Sequence, residues 1–287
     1  MAIRPARWDD LEQVGTLLAA QRRQATGVAG IEAELVRAEW ELPGFQMGED
    51  NLVVEHAGKV VGYAAVSSAR GLSLAAHDDA TADELLSRIV ERARLCGVNS
   101  LRIALSSDSD PRGAVIRRHG FELESEAIVM RCRLTSDLPE PDWPAGVRAR
   151  TFRAGDAVAV HRLLDDAYGG WDPRYAPMTD DDWVRWMTGD IEFDPTVWWL
   201  AERDGALVGC ALHWNSGWLK DIAVRETERR QGLGAALVSQ GLVEFGRRGM
   251  GRVGLKVDAA NPTGAVALYE RLGFVEERRE GTWALSL

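Results

Sequence analysis

Arg229-Arg230-Gln231-Gly232-Leu233-Gly234-Ala235 sets two glycines one residue apart beside two arginines, and that spacing is suited to holding an anion. Glycine lets the backbone turn tightly and lets a ligand approach it, while free N–H groups at a helix start carry partial positive charge toward phosphate oxygens. The chemistry implied is binding of a pyrophosphate. A lone Gly-x-Gly is also the ordinary way to join a strand to a helix, so both readings stand on these residues alone. Two other phosphate motifs do not fit. No Gly-x-x-x-x-Gly-Lys-Ser/Thr run exists, and a dinucleotide fingerprint needs Gly or Ala where Leu237 stands, with only Asp258 as an acidic echo further on.

The elements around the turn suit that task. Leu219 to Val224 reads as a strand, and Ala235 to Arg248 keeps helical apolar spacing through Leu237, Val238, Leu242 and Phe245 until Gly249. Further along, Val253 to Asp258 reads as a buried strand. Asn261-Pro262 suits the start of a helix that carries Tyr269, and Gly273 suits its stop. Taken alone, Tyr269 could equally be a core residue with a satisfied hydroxyl.

Two anchors near the N-terminus recur later. Arg4, Arg7, Asp10, Val14, Leu17 and Leu18 reappear as Arg150, Arg153, Asp156, Val160, Leu163 and Leu164, at an offset of 146 (150 − 4). Leu52 to Gly62 matches Trp199 to Gly209 at 147 (199 − 52), each reading strand, turn, strand. A third anchor, Arg118-His119-Gly120-Phe121, matches Arg271-Leu272-Gly273-Phe274 at 153 (271 − 118). Three anchors in one order argue for a duplicated domain. The expected organisation is a first domain over 1–137, a linker over 138–146 marked by Pro139, Pro141 and Pro144, and a second domain over 147–287. Each half should run strand, helix, two hairpin strands, strand, helix, strand, helix, strand. The fold class is α+β, with a mixed central sheet and helices on both faces.

The halves differ at the turn. The first has no glycine between Gly71 and Gly97, and Ala75 to Asp83 is acidic there, so like charge would repel a pyrophosphate. Only the second copy is expected to hold one. A net charge of −10 over 287 residues disfavours nucleic acid as a partner, since phosphate neutralisation supplies most of that affinity. No long apolar run or signal-type start is present, so no membrane partner and a cytoplasmic location are expected. Cys96, Cys132 and Cys210 offer neither a disulfide framework nor a metal pair. No metal is expected, and Gly-x-Ser-x-Gly and His-Glu-x-x-His are both missing from the chain.

Arg229-x-x-Gly232-x-Gly234, with the Asn261 to Phe274 helix after it, resembles the acetyl-coenzyme A motifs of the GNAT superfamily of N-acetyltransferases. The resemblance covers residues 147–287, and the tandem arrangement with its Pro-rich link is similar to mycothiol synthase-like two-domain proteins. It implies transfer of an acetyl group from acetyl-CoA, the donor, to a primary amine of a small molecule. By it, the backbone of Arg229, Arg230, Gln231, Gly232, Leu233, Gly234 and Ala235 holds the pyrophosphate. Ile222, Ala223 and Val224 pair with pantetheine, Asn261 lies near the pantetheine arm, and Tyr269 is the general acid. Ile116 takes the tyrosine's place in the first copy. Where the two-domain relatives carry a glutamate base on the strand before the turn, this chain has Trp218.

For the base, strand alternation puts the Asp221 side chain opposite Lys220, Ile222 and Val224, which makes it a structural partner rather than a base. His213 could titrate near neutrality but also reads as a core group, and water-mediated deprotonation is the third option. The acceptor pocket should come from the tryptophan-rich segment Trp171 to Trp183. Trp183 and Trp186 suggest a core-facing helix capped by Thr179 to Asp182, which leaves Trp171, Tyr175 and Trp218 as pocket candidates. A protein N-terminal acetyltransferase and a non-catalytic acyl-CoA sensor are the alternatives; the oligomeric state, monomer or homodimer, is left open.

Overall fold

The computed structural model describes residues 1–26, 32–42, 44–67, 71–106, 110–135, 138–172 and 174–287. Pro173, in the tryptophan-rich segment, and Asp137, at the expected domain boundary, lie outside them. In chain order the elements are β1 (Ala2–Pro5), α1 (Leu11–Thr26), α2 (Glu32–Trp40), β2 (Asn51–His56), β3 (Lys59–Ser67), β4 (Gly71–Ala76), α3 (Asp79–Leu95), β5 (Ser100–Ser106), α4 (Arg112–Arg118) and β6 (Glu122–Arg133). The same order then repeats as β7 (Val147–Thr151), α5 (Ala157–Gly169), α6 (Asp180–Thr188), β8 (Trp199–Arg203), β9 (Ala206–Trp214), β10 (Trp218–Val224), α7 (Leu233–Arg247), β11 (Arg252–Asp258), α8 (Ala265–Arg271) and β12 (Val275–Ser286). Each repeat thus has the expected elements plus one extra helix, α2 or α6.

The repeat extends to atoms. Arg4 clamps Asp10 through two hydrogen bonds of 2.7 Å and donates to Glu55 at 3.0 Å. Arg150 clamps Asp156 at 2.6 and 2.8 Å and donates to Glu202 at 2.9 Å. In both copies the aspartate also accepts from a backbone N–H three residues back, Arg7 or Arg153, which starts the first helix. The arginine holds each of these two carboxyls below the usual carboxylate range. Both hairpins turn through a left-handed pair, Ala57-Gly58 and Asp204-Gly205.

Packing divides the chain into two compact units that do not follow the repeat boundaries. One comprises Met1–Glu126 with Arg278–Leu287, the other Ala127–Glu277. In the first, β1 to β4 form an antiparallel sheet, and β5 pairs with residues 280–286 of β12. In the second, residues 127–133 of β6 pair antiparallel with β11, and the sheet continues through β10, β9, β8 and β7. Leu138 and Trp143 from the Pro-rich stretch pack on this second core. Among the described residues no helix is long and apolar enough to cross a membrane, and no group of three metal-type ligands gathers.

α5 and α7 both pack on β9 and β10. The α7 face is marked by Gly209, where an added Cβ would lie 2.9 Å from Leu237 and 3.4 Å from Leu233. The centre of this core is Trp198, fully buried between Phe152 and Phe193, with its indole N–H donating to the His213 carbonyl at 3.1 Å. His213 is itself fully buried and lies edge-on to Phe245. Its Nδ1–H donates to the Val197 carbonyl at 3.1 Å, and Nε2 has no partner among the described residues. Burial lowers its pKa from 6.5 to about 4, so the ring is neutral and does not titrate near pH 7 as the sequence had suggested.

Two outcomes are expected. A Cβ on Gly241 would come within 2.4 Å of the His213 ring, which is pinned by Val197, so Gly241→Ala should lose roughly 1–3 kcal/mol in urea unfolding despite its better helix propensity. Because the folded His213 refuses a proton that the unfolded chain accepts, its contribution is complete above pH 6.5 and is lost as pH falls toward 4. Between those limits the loss should be on the order of 3 kcal/mol. His213→Asn, which keeps a donor toward Val197, should flatten that part of a stability–pH curve.

Candidate functional site

The site is built at the carboxyl end of β10. β10 and β11 run parallel, yet only Trp218 with Gly254 and Leu219 with Leu255 are in register. From Lys220 onward β10 keeps its antiparallel partner β9 and parts from β11. The backbone of Ile222, Ala223 and Val224 therefore has one edge without a ladder, the edge an amide-bearing chain can use. α7 starts nine residues beyond Val224.

Its N-cap is Gly232, left-handed at φ 89°, with no side-chain cap, and Arg230 before it is also left-handed at φ 64°. The first N–H groups of a helix have no intrahelical acceptor, and here Leu233, Gly234 and Ala235 carry them next to Gly232. Arg229 donates to the Val224 carbonyl at 3.1 Å and Gln231 to the Thr227 carbonyl at 3.2 Å, so these side chains shape the turn. Arg230 is exposed, and its guanidinium reaches to 3.7 Å from where a Cβ on Gly264 would stand. The turn thus offers backbone donors and, in Arg230, an exposed cation, an arrangement that can hold a pyrophosphate.

The first unit differs at the helix start. Asp78 caps α3 by accepting from the Thr81 N–H at 2.8 Å, occupying with its own carboxylate the place an anion would take. Arg112, paired to the buried Asp110, donates to the Leu74 carbonyl of β4 at 3.2 Å. Ile116, at the place of Tyr269, is fully buried.

α8 begins at Ala265, four residues past Asn261, because Asn261 closes a local turn: its Oδ1 accepts from the Thr263 N–H and hydroxyl at 2.9 and 2.5 Å. Gly264, left-handed at φ 80°, then caps the helix. Tyr269 faces inward, buried and packed on Phe274 at 5.8 Å. Burial and the negative charge of Asp221 raise its pKa, so the phenol stays protonated across the physiological range.

Asp221 is the residue that sequence reasoning set aside. β10 carries one extra residue against β9, with Leu219 opposite His213 and Asp221 opposite Leu212, so Lys220 forms a bulge and simple alternation fails. The Asp221 carboxylate accepts from the Tyr168 hydroxyl of α5 at 3.1 Å and from Lys220 Nζ at 3.1 Å. Tyr168, unremarked in the sequence, stacks on Tyr175 at 5.8 Å, and the Tyr175 hydroxyl donates to Asp165. Arg174 beside it pairs with Asp172 at 2.9 Å and with Asp258 at the end of β11.

Of the pocket candidates, Tyr175 therefore lies near Asp221, while Trp171 is half-buried at the end of α5. Trp218 sits under the Arg131 guanidinium, 4.9 Å from its centroid, so one ring face is already covered. Trp183 is buried as expected, but Trp186 is exposed and carries Lys220 Nζ at 5.4 Å, because only one of the pair faces the core.

Two parallel strands thus part before a glycine-capped helix, and residues 157–274 match the Acetyltransferase (GNAT) family. The chain belongs to the GNAT acetyltransferase family. It is 39% identical to the mycothiol acetyltransferase of Thermobispora bispora over 54% of its own length, spanning only 56% of that relative. Against the mycothiol acetyltransferase of a Parafrankia species it is 31% identical, covering 92% of this chain and 91% of the other. A GCN5-related N-acetyltransferase from Sphaerobacter thermophilus is similar in structure, with TM-score 0.78, 26% identity and coverage of 99% and 95%. A tandem GNAT protein from the clavulanic acid biosynthesis pathway shares the fold at TM-score 0.73 and 18% identity, with coverage of 99% and 98%.

A Cβ on Gly234 would meet only Leu268 at 3.5 Å and Val224 at 3.8 Å, both ordinary contacts. Gly234→Ala should therefore leave the fold intact or stabilise it by about 0.5–1 kcal/mol, as replacing a helical glycine does. Its expected cost is in ligand approach: acetyl-CoA affinity, measured by calorimetry, should fall while thermal stability does not.

Proposed function

We propose that the protein transfers an acetyl group from acetyl-CoA to the primary amine of a small molecule, using the second unit. The observation that carries this reading is the convergence of three features: an uncapped α7 N-terminus, the unpaired edge of Ile222 to Val224, and Tyr269 within the field of Asp221. The pyrophosphate would lie on the backbone N–H groups of Arg230 to Ala235, with pantetheine along β10 and the thioester directed toward Tyr269. Asn261 lies at the turn between β11 and α8, where the arm would pass. Acceptor contacts would come from Tyr175, Trp171 and the open ring face of Trp218. The names of its relatives make the amine acetylated in mycothiol formation the first acceptor to try.

Direct attack suits this site. The chain holds donor and acceptor together, and the thiolate needs a proton as it leaves. A phenol with a raised pKa is a weak acid, so Tyr269 would first stabilise the growing sulfur charge by hydrogen bonding and pass its proton once the C–S bond is broken. In the first unit Ile116, which has no proton to donate, occupies the corresponding place.

An amine panel with acetyl-CoA, read by released thiol, tests the reaction; intact coenzyme binding with no turnover on any amine would overturn it in favour of a sensor. With an active acceptor in hand, Tyr269→Phe should lower kcat roughly 10²-fold or more, the usual size of an acid's contribution, with acetyl-CoA affinity unchanged. Unaltered kcat would remove Tyr269 from the mechanism.

A further inference from the structure

Among the described residues the Asp221 carboxylate bonds Tyr168 of α5 and Lys220 of β10, and its charge acts on Tyr175 of the segment after α5, Cys210 of β9 and Tyr269 of α8. Asp221 is the one acidic side chain in that set. Burial raises all three phenols, followed by the Asp221 charge for Tyr168 and Tyr269 and by the Asp165 hydrogen bond for Tyr175, and burial first, then the Asp221 charge, pushes the Cys210 thiol up to about 12, so none of these is a proton acceptor at neutral pH. His213 is a neutral core ring whose donor is committed to Val197. Trp218, where the two-domain relatives' glutamate would align, has no basic atom.

Resting on the acetyltransferase reading above, we infer that Asp221 is the general base that deprotonates the acceptor amine, and that Tyr168 and Lys220 position its carboxylate for the task. The Lys220 bulge is the physical cause, since one extra residue in β10 re-aims Asp221 toward α5 and α8. The side chain keeps 15% of its surface exposed, enough for an amine to reach one lone pair, and the Tyr168 and Lys220 bonds take one oxygen each.

The proton balance closes. An acceptor ammonium has three N–H protons and the amide product keeps one. Asp221 takes the first, which frees the lone pair to form the N–C bond with the acetyl carbonyl. When the tetrahedral adduct collapses, the C–S bond breaks with its electron pair on sulfur, the nitrogen releases its second proton to water, and Tyr269 protonates the sulfur. Asp221 then returns its proton to the Tyr269 phenolate. Two protons leave nitrogen, one ends on coenzyme A and one in solvent, and both side chains are restored.

The test uses the full chain, acetyl-CoA and an amine on which the wild type turns over. Asp221→Asn should lower kcat by 10²- to 10⁴-fold, the range for a general base, with acetyl-CoA affinity and melting temperature close to wild type. Tyr168→Phe removes a hydrogen bond to the charged carboxylate, so the acid limb of its kcat/KM profile should move to higher pH, a change that a purely structural role would not produce. Wild-type kcat/KM for Asp221→Asn across the pH range would overturn the inference, as would a loss matched by lost acetyl-CoA binding. Should that variant fail to fold, an unmoved acid limb in Tyr168→Phe overturns it instead. A wild type inactive on every amine would remove the transferase reading itself, whereas an active wild type with an indifferent Asp221→Asn removes only the base.

Discussion

Two parallel strands that stay together for only two residue pairs set the terms for this site. Once β10 leaves β11 after Leu219, its backbone on that side must be satisfied by something other than the sheet, because unpaired peptide groups out of water are costly. A ligand with its own amides can supply those partners. Each strand then leads toward a helix through a left-handed glycine, Gly232 before α7 and Gly264 before α8, and left-handed φ is the conformation in which glycine has least competition. Ligands of open α/β sheets bind at the carboxyl ends of strands for the same geometric reason.

The first unit repeats the elements and resolves the constraint differently. There the chain supplies its own partners: Arg112 reaches the Leu74 carbonyl of β4, and Asp78 takes the Thr81 N–H at the start of α3. In the second unit the corresponding helix start, at Gly232, has no side-chain cap. Divergence after duplication can thus be read as a choice about backbone polar groups. In the first copy Arg112, paired to the fully buried carboxylate of Asp110, takes up one carbonyl of β4, although among the described residues β4 has no ladder toward β5, and Asp78 takes up one N–H of α3.

Local patterns were legible from sequence because their partners lie close by or recur. The recurrence of Arg4 and Asp10 as Arg150 and Asp156 was legible as repeated text, though the clamps they make with Glu55 and Glu202 were not, and the Gly232-x-Gly234 turn was legible from the residue types alone. The Lys220 bulge was not legible. It is a register shift against β9, and a strand's own alternation cannot report how its neighbour counts. Tyr168 stayed hidden for a similar reason: a tyrosine in the last turn of an amphipathic helix looks like any core aromatic until the strand beneath it is known. The division of the chain was also beyond reach, since residues 127–133 and 278–287 pack according to long-range strand pairing rather than the order of the repeats.

On the proposed mechanism the bulge also accounts for Trp218 standing where a glutamate base was expected. The Trp218 ring lies under Arg131 and against Gly254, where an added Cβ would sit 2.8 Å from it, so that end of β10 is committed to packing. Three residues on, the extra residue moves a carboxylate into the neighbourhood of Tyr269. Placing a charge there has a consequence for the acid as well. The same negative charge that can draw a proton from an ammonium raises the phenol's pKa, and when that charge is neutralised by the proton it takes, the phenol becomes the stronger acid. On the proposed mechanism, uptake of a proton at Asp221 would prepare Tyr269 to give one up as the thiolate forms, and electrostatics within one small cluster would order the two halves of the transfer.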